Sequence, residues 1–126
     1  VILREYRHIE DMKVIVCGSR DWADIWFLWD VLGQQEPKIS FLIQGGAKGA
    51  DEHARSWAKA HEVPQQEYEA DWNKHGKAAG PIRNQKMLDE GKPDKVIAFR
   101  KNNSRGTSHM IGIAQKAGIP VDIHDT

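Results

Sequence analysis

Apolar residues along this 126-residue chain fall into short unbroken runs that alternate with longer stretches of helical period. Lys13–Cys17 (KVIVC) is almost continuously apolar, as a parallel strand buried on both faces requires. It stops at Gly18-Ser19-Arg20. Asp21 is placed to cap a helix in which Trp22, Ile25, Trp26, Trp29 and Leu32 recur at helical spacing, closed by Gly33 and Pro37. Ile39–Ile43 predicts a second strand. A glycine-rich loop, Gly45-Gly46-Ala47-Lys48-Gly49, then opens a helix with Ala50, Ala54, Trp57 and Ala58 on one face. Val63–Glu69 is a weaker third strand, and a polar connection, Asp71–Gly80, precedes a helix around Ile82–Asp89. Lys95–Phe99 predicts a fourth strand. After the turn Asn102–Gly106 comes a helix carrying Met110, Ile111, Ile113, Ala114 and Ala117, capped by Gly118, and Pro120–Ile123 makes a last short strand.

Five strands alternating with four helices predict a Rossmann-like, doubly wound α/β fold, with a mainly parallel five-stranded sheet and helices on both faces. No repeat, low-complexity tract or linker interrupts the pattern, so residues 12–126 are expected to form a single domain. Residues 1–11 (VILREYRHIED) precede it as an N-terminal extension, a packed arm or a cloning remnant. Their charges leave no signal-peptide core, which makes the cytoplasm the expected location. No apolar run reaches the roughly 20 residues of a membrane span. The single cysteine, Cys17, excludes an intrachain disulfide and any CxxC site. It is expected to behave as a small buried hydrophobe rather than a nucleophile. Six histidines without ligand spacing predict no metal site, His75 being the one best placed to touch a ligand. Trp22, Trp26 and Trp29 form a stripe facing either the core or a second copy of the chain.

Charge changes the picture only when it is divided. Eighteen basic and eighteen acidic residues cancel, which argues against a polyanion-coating domain. Residues 72–121 nevertheless hold ten Lys/Arg against three acids, so this segment is about +7 and the rest about −7. That leaves room for one small anionic ligand.

In an open α/β sheet, ligands bind beyond the carboxyl ends of the strands. Four loops there carry chemistry. Gly18-Ser19-Arg20 offers a tight turn, a hydroxyl and a guanidinium. Gly45, Gly46 and Gly49, with Lys48, form the expected phosphate cradle at a helix N-terminus, although Ala50-Asp51 stands where a P-loop would have its GK[ST] ending. Asp51 is expected to cap that helix or to accept from a ribose hydroxyl. In the third loop, Arg83 suits a phosphate or carboxylate, and Asn84 reads a hydroxyl or base edge or satisfies backbone. Trp72, in the polar connection, either stacks on a base or covers the edge of the core. In the fourth, Gly106-Thr107 offers an N-cap or a phosphate-binding hydroxyl.

The sequence CGSRDW, then IQGGAKGAD, then DWNKHGKAAGPIRNQKML, then VIAF…GT, resembles the YspA-like branch of the SLOG superfamily, Rossmann-like proteins related to LOG and to DNA-processing protein A. The likeness runs from about Met12 to Val121. It implies a nucleotide or nucleotide-derivative pocket at the strand C-termini, often in a homodimer. LOG enzymes cleave the N-glycosidic bond of nucleoside monophosphates with an early-helix arginine and a PGGxGTxxE glutamate. Arg83 matches the arginine, but Met110 occupies the glutamate position and Asn102-Asn103-Ser104 replaces the Pro-Gly-Gly. Methionine cannot stabilise an oxocarbenium-like transition state, which disfavours that reaction.

Three functions follow as expectations. The first is binding of a nucleotide-derived small molecule, as a sensor or sequestering domain. The second is a nucleotide-metabolising enzyme, an N-glycosidase or phosphohydrolase, with Arg83, Asp51 and Asp71 as candidate catalytic residues. The third is single-stranded nucleic-acid binding, compatible with the basic segment and Trp72. No cofactor is required beyond a bound nucleotide.

Overall fold

A computed structural model describes residues 12–126. The expectation for residues 1–11 lies outside the described residues. The element order is β1 (Lys13–Gly18), α1 (Ile25–Gly33), β2 (Phe41–Gln44), α2 (Ala50–Ala60), β3 (Gln65–Glu67), α3 (Trp72–His75), a 3-10 turn (Gly76–Ala78), α4 (Ala79–Gly91), β4 (Lys95–Arg100), α5 (Arg105–Lys116) and β5 (Val121–Asp125). The sheet runs β3-β2-β1-β4-β5, every neighbouring pair parallel. This is the Rossmann-like, doubly wound arrangement, and its strand order reverses between β1 and β4.

Two-faced burial explains why β1 carries no polar alternation. Val14 and Val16 join one apolar core with Leu28, Leu32, Ala54 and Trp57 of α1 and α2. Ile15 and Cys17 join the other with Met87, Leu88, Met110 and Ile111 of α4 and α5. Successive residues of a strand point to opposite faces, so one KVIVC run supplies both layers.

Three local expectations need correction. The cap of α1 is Asp24, whose carboxylate accepts from the Phe27 amide at 3.1 Å, not Asp21. Trp22 therefore precedes the helix, buried against Phe99, while Trp26 on the helix is 71% exposed. The stripe divides because Trp22 lies before the helix that carries Trp26 and Trp29. The polar connection Asp71–Gly80 is itself helical, and Gly80 lies inside α4 rather than before it. Asp71 is the cap of α3, accepting from the Lys74 amide at 3.1 Å.

Candidate functional site

A cleft of about 640 Å³ opens at the reversal point between β1 and β4. It is lined from all four loops by Gly18, Ser19 and Arg20; Gly45 and Asp51; Trp72, Arg83 and Asn84; and Gly106 and Thr107. Ten of the expected ligand residues thus converge on one place. Gly46, Lys48 and Gly49 do not line it, nor does Asp71, and His75 is replaced there by His109.

The loop after β1 is held down by Ser19. Its amide donates to the Phe99 carbonyl at 2.9 Å, and its hydroxyl accepts from the Lys101 amide at 2.7 Å and donates to the Lys101 carbonyl at 3.3 Å. The buried hydroxyl expected for a ligand is instead a clamp between the two strand ends. Ser19→Ala is expected to lower stability by about 1–2 kcal/mol, seen as a lower urea midpoint, because the Lys101 amide loses its partner.

The glycine loop is also inwardly satisfied. Gln44, buried at the end of β2, accepts from the Gly46 amide at 2.6 Å and donates to Glu67 at 2.9 Å. The Asp51 carboxylate accepts from the Ala47 amide at 3.2 Å and from Gly45. Asp51 is neither the expected cap nor a free ribose acceptor: it sits in the first turn of α2 and ties the loop back onto itself. The Gly45 and Ala47 amides already face the Asp51 carboxylate and the Gly46 amide the Gln44 side-chain oxygen, so a phosphate there would meet negative charge. Gly46 and Gly49 serve the backbone instead, with φ of +72° and +73°.

Burial pushes the Asp51 carboxyl up to about 6, against the opposing effects of the loop amides and Arg83. Burial likewise pushes the Cys17 thiol far above the thiol range, with Asp51 acting in the same direction. Cys17 lines the cleft from the buried end of β1. Burial lowers the pKa of Arg83, partly offset by Asp51. Its guanidinium donates to the Gly45 carbonyl at 2.7 Å and to Asn84 Oδ1 at 3.0 Å. Asn84 in turn donates to the Gly106 carbonyl and contacts His109 Nδ1, both at 3.2 Å. Its amide stitches α4 to α5, so the backbone-satisfying alternative describes it.

The opposite wall is less occupied. Arg20, Trp72 and Arg105 are exposed, and the Arg20 guanidinium lies 5.6 Å from the Trp72 ring centroid. The indole is not core cover: it is 49% exposed on α3 above the cleft. Lys77, in the third loop, lies where positive charge is expected, and Lys101 and Arg105, which belong to no ligand motif of the sequence, add charge to the lining. Their signal was the basic count of residues 72–121, which gives a region but not a direction. At the start of α5, Ser104 Oγ and Thr107 Oγ1 lie 3.2 Å apart, and the first turn holds no acidic residue. Met110, one turn further on, is fully buried in the core and brings no carboxylate to the cleft.

Among the described residues, no group of three or more His, Cys, Asp or Glu is placed to hold a metal ion, and no helix is long and apolar enough to cross a membrane.

Comparison with known proteins agrees with this architecture. The Gene 61 protein of Mycobacterium phage D29 is 40% identical over 117 residues, covering 86% of this chain and 93% of the phage protein. The X-ray structure of DNA processing protein A from Streptococcus pneumoniae superposes with a TM-score of 0.73 at 19% identity. That match covers 91% of this chain but only 50% of the other, a likeness of fold. A family model for YspA, cpYpsA-related SLOG proteins matches residues 12–75, from β1 through α3. The chain belongs to the YspA, cpYpsA-related SLOG family.

Proposed function

We propose that the cleft binds a nucleotide or nucleotide-derived small molecule, with its phosphate at the N-terminus of α5 and its base against Trp72, as a sensing or sequestering domain. One contrast carries this. The N-terminus of α2 already has Asp51 and Glu52 in its first turn, whereas that of α5 has no acid and opens onto the cleft. Helix N-termini attract anions through unpaired amides and the helix dipole. Arg20, Lys101 and Arg105 surround that end of the cleft, and Arg83 adds charge from the far wall.

Calorimetric titration with AMP, dAMP, NAD and ADP-ribose tests the proposal. Saturable binding of at least one is expected, weakened about tenfold or more in Trp72→Ala, since stacking on an aromatic ring contributes about 1–3 kcal/mol per base. No heat with any of them overturns it. A single-stranded oligonucleotide belongs in the same titrations because the fold is shared with a DNA-processing protein. Binding that falls steeply with salt and exceeds that of every mononucleotide assigns the cleft to nucleic acid instead.

Turnover is a second proposal, favoured by Asp51, a carboxyl near 6 within the cleft and beside Arg83. Chromatography of the same nucleotides after incubation would show free base or released phosphate, lost in Arg83→Ala. Unchanged substrate leaves a binding domain.

A further inference from the structure

A second cleft, of about 390 Å³, runs along α1 beside the C-terminal end of α2, lined by Trp26, Trp29, Asp30, Gly33, Trp57 and His61. We propose that it is a binding site for a small quaternary ammonium ion.

Its walls are aromatic and stand at steep angles. The Trp26 and Trp29 rings meet at 75° with centroids 5.8 Å apart, and Trp29 meets His61 at 74° and 5.9 Å. Trp57 forms the buried floor, stacked on His61 at 4.7 Å. Two of these rings are fixed by hydrogen bonds to carbonyls of α2: Trp29 Nε1 donates to the His53 carbonyl at 3.1 Å, and His61 Nδ1 donates to the Trp57 carbonyl at 2.9 Å. Aromatic faces at several angles surround a compact cation with the negative part of each ring quadrupole. A flat apolar partner would need parallel surfaces instead.

Electrostatics point the same way. Asp30 is exposed at the rim and forms no ion pair among the described residues. The last turn of α1 holds no basic residue, so the negative end of its dipole is unopposed by its own side chains. Trp26, 71% exposed, is the most exposed large hydrophobic side chain described, and it stands against Trp29 at the cleft and not alone. The volume lies near the low end for small-molecule pockets, which favours a free ion over a protein segment.

The test follows the five indole N–H signals by NMR during titration with choline, tetramethylammonium and the neutral choline isostere 3,3-dimethylbutan-1-ol. The cations are expected to shift Trp26, Trp29 and Trp57 saturably while Trp72 stays still, and to bind about fivefold to thirtyfold more tightly than the isostere. Asp30→Asn and Trp26→Ala should each weaken them by a similar factor. Gly33→Leu is a blocking variant with room to fold, since a Cβ there meets no atom within 4 Å. Equal binding of the isostere, or no saturable shift, overturns the proposal. So does a dimer in sedimentation that Trp26→Ala abolishes, which makes the cleft an interface between copies. A trimethyllysine peptide binding more than about tenfold tighter than choline also overturns it, because contacts beyond the ammonium group would then dominate.

Discussion

Gly49→Ala is expected to cost the fold about 3–5 kcal/mol, a large share of a small domain's stability. Two effects add. At φ +73° and ψ −123° the backbone occupies a region open essentially to glycine, a strain of about 1–3 kcal/mol for any other residue. A Cβ there would also overlap the carbonyl oxygens of Ser19 and Arg20. Both are backbone atoms, held in place by the Ser19 clamp, and the Ser19 carbonyl itself accepts from the Ala50 amide at 3.2 Å. Relief therefore requires moving the loop after β1 or the start of α2, an overpacking cost of about 1–3 kcal/mol. Gly76→Ala is the control. Its φ of +56° imposes comparable strain, but a Cβ there meets nothing within 4 Å. Urea unfolding of both variants should place Gly49→Ala well below Gly76→Ala. Equal midpoints would show that strain alone, and not close approach of the two loops, fixes glycine at position 49.

That contact explains which parts of the site were legible in the sequence. The fold was readable because a strand buried on both faces shows as an unbroken apolar run, and KVIVC and KVIAF are such runs. The sequence suggests a longer edge strand, Val63–Glu69, than the three-residue β3, because the polar Gln65–Glu67 gives no period. Three glycines in five residues correctly marked a loop with backbone demands. Sequence could not say whether those demands came from a ligand or from the protein. Here they come from Ser19 and Arg20 in the loop after β1, Glu67 in β3, and Arg83 and Asp51 on α4 and α2. The same ambiguity applies to Asp51 and Asn84, whose partners lie across loops or helices, and to Gln44, whose only signal was a polar residue at the end of an apolar strand. Lys101 and Arg105 were visible only as members of a basic segment. Their direction depends on the β4–α5 turn, where Asn102 and Asn103 both take positive φ.

Lowering the pH from about 7 to about 4 is expected to stabilise the protein through Asp51 by about 2 kcal/mol, against the usual behaviour of carboxylates. Burial raises its folded pKa to about 6, above the ordinary value of 3.8 that holds on unfolding. Between those values the folded state binds the proton and the unfolded state does not. The contribution is thus complete below about 4 and lost as the pH rises through about 6. Glu67 acts in the opposite sense: its hydrogen bond from Gln44, foremost, holds its carboxyl below the ordinary range, so its stabilisation is lost as the pH falls. The two are separated by comparing wild type with Asp51→Asn, in which Glu67 is retained. The stability of wild type minus that of the variant should fall by about 2 kcal/mol from pH 4 to pH 7, measured by urea unfolding. A pH-independent difference would mean that Asp51 is not held in the buried, loop-bonded position described. The same displacement bears on ligand binding. An anion entering the cleft adds negative charge near a carboxyl already titrating near 6, favouring its protonated form. Binding at pH 7 is therefore expected to take up a fraction of a proton, visible as a calorimetric enthalpy that changes with the ionisation heat of the buffer. Asp51→Asn should remove that uptake. Uptake that persists in the variant would assign the coupled proton to a group other than Asp51.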